Sequence, residues 1–144
     1  MILFEGWCVG ATPQANKALI HPVNKLEASE DPHGDWRNHV NTALAGQYQQ
    51  LFNRIDKLLV LNAPSFECVY QWRWLQEQKL TEKTRRENPN TPTRLLSEAG
   101  VKRFISHYER LTRHCLSTLP AQADWVLDLN KHHAITTLSC REDL

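Results

Sequence analysis

The sequence predicts an α/β fold, a parallel sheet flanked by helices, on three observations. Short unbroken apolar runs take turns with longer segments whose apolar residues recur every three or four positions. The short runs show no alternation with polar residues, the pattern of strands covered on both faces in a parallel sheet. Clusters of Pro, Gly and Asn separate the two kinds of segment.

Ile2-Leu3-Phe4 is the first such run, ending at Glu5-Gly6, and it predicts a buried strand with a carboxylate at its end. Residues 10 to 35 hold Pro13, Pro22, Pro32, Gly10 and Gly34 and predict a long irregular excursion with short helical turns. Trp36, Val40, Leu44, Tyr48, Leu51, Phe52 and Ile55 then form an amphipathic helix with Asp35 as N-cap. Leu58 to Leu61, stopped by Asn62-Ala63-Pro64, reads as a second buried strand. Phe66, Val69, Tyr70, Trp74 and Leu80 sketch a helix that grades into a charged stretch and then the breaker-rich Asn88 to Thr93. Ser97 is placed to cap one long helix striped by Val101, Phe104, Ile105, Tyr108, Leu111, Cys115, Leu116 and Leu119 and ended by Pro120. Trp125-Val126-Leu127 gives a third strand, and Ala134 to Cys140 a fourth.

Composition bounds the function. The chain has 144 residues, and 17 Lys+Arg against 16 Asp+Glu leave a formal charge of +1. That length predicts one domain over residues 1–144, and the balanced charge removes any global reason to bind nucleic acid or an anionic membrane. The segment MILFEGWCVG lacks the basic start of a secretory signal, and no apolar run approaches the ~20 residues of a membrane-spanning helix. A soluble, cytoplasmic protein is expected, without nucleic-acid or membrane partners. Cys8, Cys68, Cys115 and Cys140 form no CxxC pair and the seven histidines no HExxH, so reduced, mostly buried cysteines and no structural metal are expected.

Ligands of open parallel sheets sit beyond the carboxyl ends of the strands. Three stretches meet that description: Glu5-Gly6-Trp7, Asn62 to Ser65, and Asn130-Lys131-His132. A carboxylate at a strand end suits Mg²⁺, and equally suits neighbouring backbone amides. Between Gln71 and Arg86, Arg73, Lys79, Lys83, Arg85 and Arg86 face only Glu77 and Glu82. Guanidinium forks bind phosphate well, so residues 71–96 form a candidate lid; the same residues also make an ordinary solvated face.

Taken together, Glu5-Gly6-Trp7-Cys8-Val9-Gly10, Pro22-Val23-Asn24-Lys25-Leu26-Glu27, Trp36-Arg37, Tyr70-Gln71-Trp72-Arg73 with Gln76-Glu77, and Ala123-Asp124-Trp125-Val126-Leu127 resemble a known family. They look like the carboxyl-terminal half of D-glycerate 3-kinase-like P-loop kinases, of the phosphoribulokinase, uridine kinase and pantothenate kinase group. The resemblance implies ATP-dependent transfer of a phosphoryl group to a small hydroxyl acceptor such as D-glycerate. It places Glu5 on the acidic position that helps hold Mg²⁺ and Arg73 on the lid arginine that contacts phosphates. By the same resemblance Trp7, Asn24 and Tyr70 lie near the acceptor pocket, and Asn130, Lys131 and His132 near the adenine of ATP.

Such kinases carry G-x-x-x-x-G-K-[ST], whose amides and lysine cradle the phosphates. None of Gly6, Gly10, Gly34, Gly46 and Gly100 begins that motif. The expectation is therefore a partial P-loop-kinase-like sheet lacking the amino-terminal P-loop half, inactive alone, its exposed sheet edge covered by self-association as a homo-oligomer or by a separate P-loop half. The alternative from another class is a non-catalytic binding or regulatory module.

Overall fold

The computed structural model describes residues 1–87 and 95–141. Among these, the chain forms α/β structure with one small mixed sheet of order β1-β2-β3, made by Leu59–Asn62, Trp125–Leu129 and Ile135–Cys140. β1 pairs parallel to β2, Leu59 beside Trp125 and Asn62 beside Asp128, as the unbroken apolar runs led one to expect. The ladder is started by Asp124, whose carboxylate accepts from the Leu58 N–H at 2.8 Å and from Lys57 Nζ at 3.0 Å. β3 is antiparallel to β2, Leu138 opposite Leu127, because only five residues connect the strands and a parallel return needs a long crossover.

The register shows where this sheet departs from the sequence pattern. Val60 and Val126 face the helices, Val126 being buried and Val60 packed against the main core cluster. The opposite face carries Leu59, Leu61, Trp125 and Leu138, of which Leu59, Leu61 and Leu138 are 52, 61 and 60% exposed. The strands are apolar on both faces, but the described residues cover one. Ile2-Leu3-Phe4 forms no strand: it is exposed and without regular structure. An extended segment without a ladder partner leaves its amides to water, so apolar composition alone does not make it a strand.

The excursion contains a 3₁₀ turn, Asn16–Leu19, and α1, Lys25–Glu30, capped by Asn24, whose side chain accepts from the Glu27 N–H at 2.9 Å. The helix starting near Trp36 is a continuous rod of α2 (Asp35–Ala43), a π-helical turn (Leu44–Tyr48) and α3 (Gln49–Phe52). Its cap is not Asp35. Gly34, at φ +83°, precedes the helix, and the Asp31 carboxylate accepts from the Trp36 and Arg37 N–H groups at 2.9 and 3.3 Å. α4 runs over Phe66–Glu87. The breaker-rich Asn88 to Thr93, and so part of the candidate lid, lies outside the described residues.

Ser97 caps α5 as expected, accepting from the Gly100 N–H at 3.2 Å. The expected single helix is two, α5 (Glu98–Ser106) and α6 (Glu109–Thr118), because His107 and Tyr108 N–H groups bond three residues back and tighten the chain into a turn. Val101 and Ile105 of α5 are fully buried, and Cys115 and Leu119 join Ala11 and Leu44 in the main core. No helix among the described residues is long and apolar enough to cross a membrane.

Candidate functional site

The α5–α6 pair gathers Trp7, Asn24, Tyr70 and Arg73, half of the site residues singled out in the sequence. Trp7 reaches it from the turn after Gly6: its indole N–H donates to Thr112 Oγ1 at 3.0 Å, and its ring stacks on Tyr108 with centroids 5.3 Å apart. Thr112 is buried and donates in turn to the Tyr108 carbonyl at 2.8 Å, so its hydroxyl is used in both directions. Phe104 stands 5.2 Å from the Tyr108 ring, and the Arg73 guanidinium lies 5.5 Å over Phe104. A continuous ladder, Trp7, Tyr108, Phe104, Arg73, thus connects the turn after Gly6 to α4.

Arg73 also donates to Glu77 Oε2 at 2.7 Å, and Glu77 Oε1 accepts from the Leu96 N–H at 2.8 Å. Glu77 is buried. The Leu96 amide and the arginine hold its carboxyl below the usual range, although burial pushes the other way. Tyr70 sits one turn before Arg73 and its hydroxyl donates to Glu98 Oε1 at 3.4 Å; burial, then the Glu98 charge, raise the phenol.

Asn24 meets the same helix pair but with every polar atom engaged. Its Nδ2 donates to the Ser106 carbonyl at 2.8 Å and to Glu109 Oε2 at 3.1 Å, while its Oδ1 caps α1. These are the contacts of a residue that positions the excursion. The excursion is further held by two buried ion pairs. Arg110 donates to both oxygens of Glu27 at 2.8 and 2.7 Å and to the Ala18 and His21 carbonyls; Arg37 donates to Asp31 Oδ2 at 3.0 Å and to the Leu19 carbonyl. Burial pushes the Glu27 carboxyl up, but hydrogen bonds from Arg110 and Val23, with both arginine charges, bring it below its ordinary value. A cavity of about 200 Å³ lies against this network, walled by Trp36, Val40, Leu44, Tyr108 and Leu111.

Asn130, Lys131 and His132 belong to a second place, the β2–β3 turn. Asn130 Oδ1 accepts from the His132 and Ala134 N–H groups at 2.9 and 3.1 Å, which shapes the turn and lets His133 adopt φ +64°. Trp72 of α4 donates from its indole N–H to the Lys131 carbonyl at 2.9 Å, and its ring lies 4.3 Å from that of His133. With Gln71, Leu75, Lys131 and His132 these rings line an open cleft of about 440 Å³.

Glu5 stands apart. It is exposed in the segment before the turn, with neither a hydrogen bond nor an ion pair among the described residues, and not at a strand end. No cluster of three or more His, Cys, Asp or Glu suited to a metal occurs among the described residues. Sequence reasoning gives no site role to Phe104, Tyr108, Thr112 or His133, and it contains Trp72 only as part of the Tyr70-Gln71-Trp72-Arg73 motif. Phe104 and Tyr108 belong to the apolar stripe of the expected core helix, and only their aromatic character at i, i+4 marks that face as more.

No family model matches the sequence. An uncharacterized kinase, mug58, of Schizosaccharomyces pombe (strain 972 / ATCC 24843) is 28% identical over 147 residues, covering 93% of this chain and 47% of that protein. D-glycerate 3-kinase from Cryptococcus neoformans var. grubii serotype A shares the fold at a TM-score of 0.67 and 18% identity, over 96% of this chain and 49% of that one. The resemblance read from the motifs therefore stands at the level of the fold: the chain is similar to part of a glycerate-kinase-like protein and spans about half the length of the relatives it matches.

Proposed function

We propose that this chain is the acceptor-binding and lid portion of an ATP-dependent kinase that phosphorylates a small hydroxyl acid of the D-glycerate type. The observation that carries the reading is the convergence of Trp7, Tyr70 and Arg73 on α5–α6, at residues chosen from the sequence for phosphate and acceptor contacts. Arg73 is held on one side by Glu77 and Phe104, which orients its planar fork and lowers the entropic cost of meeting a phosphate.

ATP supplies the transferable phosphoryl group, and Mg²⁺ neutralises its developing charge. The residues present fit these partners in part. The cleft at Trp72 and His133 offers ring faces to a purine, with Lys131 as a nearby cation, and Glu5 offers a single carboxylate to Mg²⁺. The 144 residues contain no G-x-x-x-x-G-K-[ST], so on this reading a second half supplies the cradle for the β- and γ-phosphates. One feature favours a covering half: among the described residues nothing covers the apolar sheet face of Leu59, Leu61 and Leu138, which are 52, 61 and 60% exposed.

The test has two arms. Titration of ¹⁵N-labelled chain with MgATP moves the Trp72 indole resonance; no shift at millimolar nucleotide refutes the placing of adenine. Joined to the half of the Cryptococcus enzyme that it does not match, the chain phosphorylates D-glycerate, and Arg73→Ala abolishes this. Turnover by the chain alone at an ordinary rate of about 1–100 s⁻¹ refutes the need for a second half.

A further inference from the structure

We propose that Cys8 and Cys115 form a reversible intramolecular disulfide, a modification site that fastens the turn following Trp7 to α6. Cys115 lies on the buried face of α6, in the cluster of Ala11, Leu44 and Leu119, and Cys8 packs against that cluster from the turn over residues 7–10. Cys8 thus packs against the cluster that holds Cys115 although the two lie at opposite ends of the sequence, and each thiol perturbs the ionisation of the other. Cys8 is half-buried, so small solutes reach it, and Cys115 is 7% exposed. The other cysteines differ in kind: Cys68 is half-buried on α4 and Cys140 exposed on β3.

The chemistry of the pair is asymmetric in the useful direction. Hydrogen bonding from Cys115 lowers the Cys8 thiol against the effect of burial, while the Cys8 contact and burial raise Cys115. Cys8 is thus the sulfur that ionises, and the thiolate is the nucleophile. With a peroxide as oxidant, the Cys8 thiolate attacks the O–O bond and becomes a sulfenic acid, releasing one oxygen as water after it takes a proton. Cys115 then attacks the Cys8 sulfur and gives up its proton, and the sulfenic oxygen leaves as a second water. Two thiols and one hydrogen peroxide become one disulfide and two waters; both sulfurs are oxidised and both peroxide oxygens reduced. A sulfenic acid at Cys8 has Cys115 in the cluster it packs against, so ring closure competes well with further oxidation.

The position gives the bond a consequence. Trp7 adjoins Cys8, and Thr112, which accepts from the Trp7 indole, lies one turn before Cys115 on α6. The disulfide adds a covalent tie next to that hydrogen bond. This inference does not rest on the kinase reading, and its test needs no activity. The full chain is treated with a small excess of hydrogen peroxide, alkylated, digested without reductant and mapped by mass spectrometry. The expected product is the Cys8 peptide joined to the Cys115 peptide, lighter by two hydrogens than the separate thiol peptides. It disappears with dithiothreitol and persists in the Cys68→Ser/Cys140→Ser double variant. Cys8 found as sulfinic acid with Cys115 still open to alkylation after denaturation overturns the proposal. So does crosslinking found only between chains through Cys140.

Discussion

Arg110→Met is the sharpest test of what holds the excursion in place. The methionine keeps most of the apolar stem but removes donors to four atoms: both Glu27 oxygens at 2.8 and 2.7 Å, the Ala18 carbonyl at 2.6 Å and the His21 carbonyl at 2.7 Å. Glu27 keeps the Val23 N–H, at 3.0 Å, and loses its directly bonded counter-charge, with only the charge of the Asp31-paired Arg37 left nearby. The side chains of Arg110 and Glu27 are 9 and 11% exposed, so bulk water replaces the lost partner poorly. Breaking such a pair costs about 3–5 kcal/mol, because a buried charge is left uncompensated. For 144 residues the unfolding entropy near the midpoint is about 0.3 kcal/mol/K, which converts that cost to a fall of about 10–17 °C. Differential scanning calorimetry at neutral pH reads it. The double variant Glu27→Met/Arg110→Met removes both charges and is expected to recover most of the loss, since a well-packed apolar pair is often no worse than an ion pair. A single variant that loses under ~1 kcal/mol, or a double variant less stable than the single one, refutes the argument.

The same carboxylates predict acid lability. Glu27 and Asp31 both lie below their ordinary values of 4.5 and 3.8 in the folded chain, so between folded and unfolded values the unfolded state binds more protons. Stability is therefore complete above about pH 5 and declines as pH falls through the folded values; a thermal midpoint unchanged down to pH 3 contradicts this. Glu77→Gln places an amide against Arg73 or Leu96, where one donor–donor contact is unavoidable, and is expected to cost about 1.5–3 kcal/mol in urea unfolding; a change within error refutes the assigned contacts. The bare face of Leu59, Leu61 and Leu138, beside the open edge of β1, is expected to drive self-association at micromolar concentration. Multi-angle light scattering giving a clean monomer contradicts it.

Periodicity found α2–α3 and α4, and unbroken apolar runs or β-propensity found the three strands of the sheet, because each has a one-dimensional signature. It failed where the deciding partner was not local. Ile2-Leu3-Phe4 has the composition of a strand but no ladder. Asp31 caps α2 from four residues ahead of its first residue, across a left-handed Gly34, so the adjacent Asp35 was the natural but wrong choice. The stripe from Val101 to Leu119 keeps its apolar face through the His107–Tyr108 turn, and an in-phase stripe cannot reveal a break. At the candidate site, Trp7 and Arg73 were legible as residue types in motifs. Their junction through Phe104 and Tyr108 was not, since it depends on how α4 crosses α5.

The contacts of α6 explain why such different features depend on one helix. Arg110 grips the excursion through Glu27, Thr112 takes the Trp7 indole, Arg113 bridges to Glu67 at the start of α4, and Cys115 belongs to the cluster against which Cys8 packs. The excursion so joined buries few apolar side chains: between Thr12 and Arg37 the buried ones are Leu19, Leu26 and the charged Glu27, Asp31 and Arg37, while Ile20, Val23 and Trp36 are exposed. A segment that cannot bury enough carbon must be fixed by directional bonds, and those fix it in one geometry rather than in a family of similar packings. Trp7 and Asn24 are placed through the same few polar contacts. Thr112→Val, which keeps shape and removes the hydroxyl, therefore distinguishes placement by bonding from placement by packing. If the indole bond fixes Trp7, the variant loses about 0.5–1.5 kcal/mol and the Trp7 ring loosens on Tyr108. If packing alone fixes it, stability and the Trp7 indole resonance stay as they are.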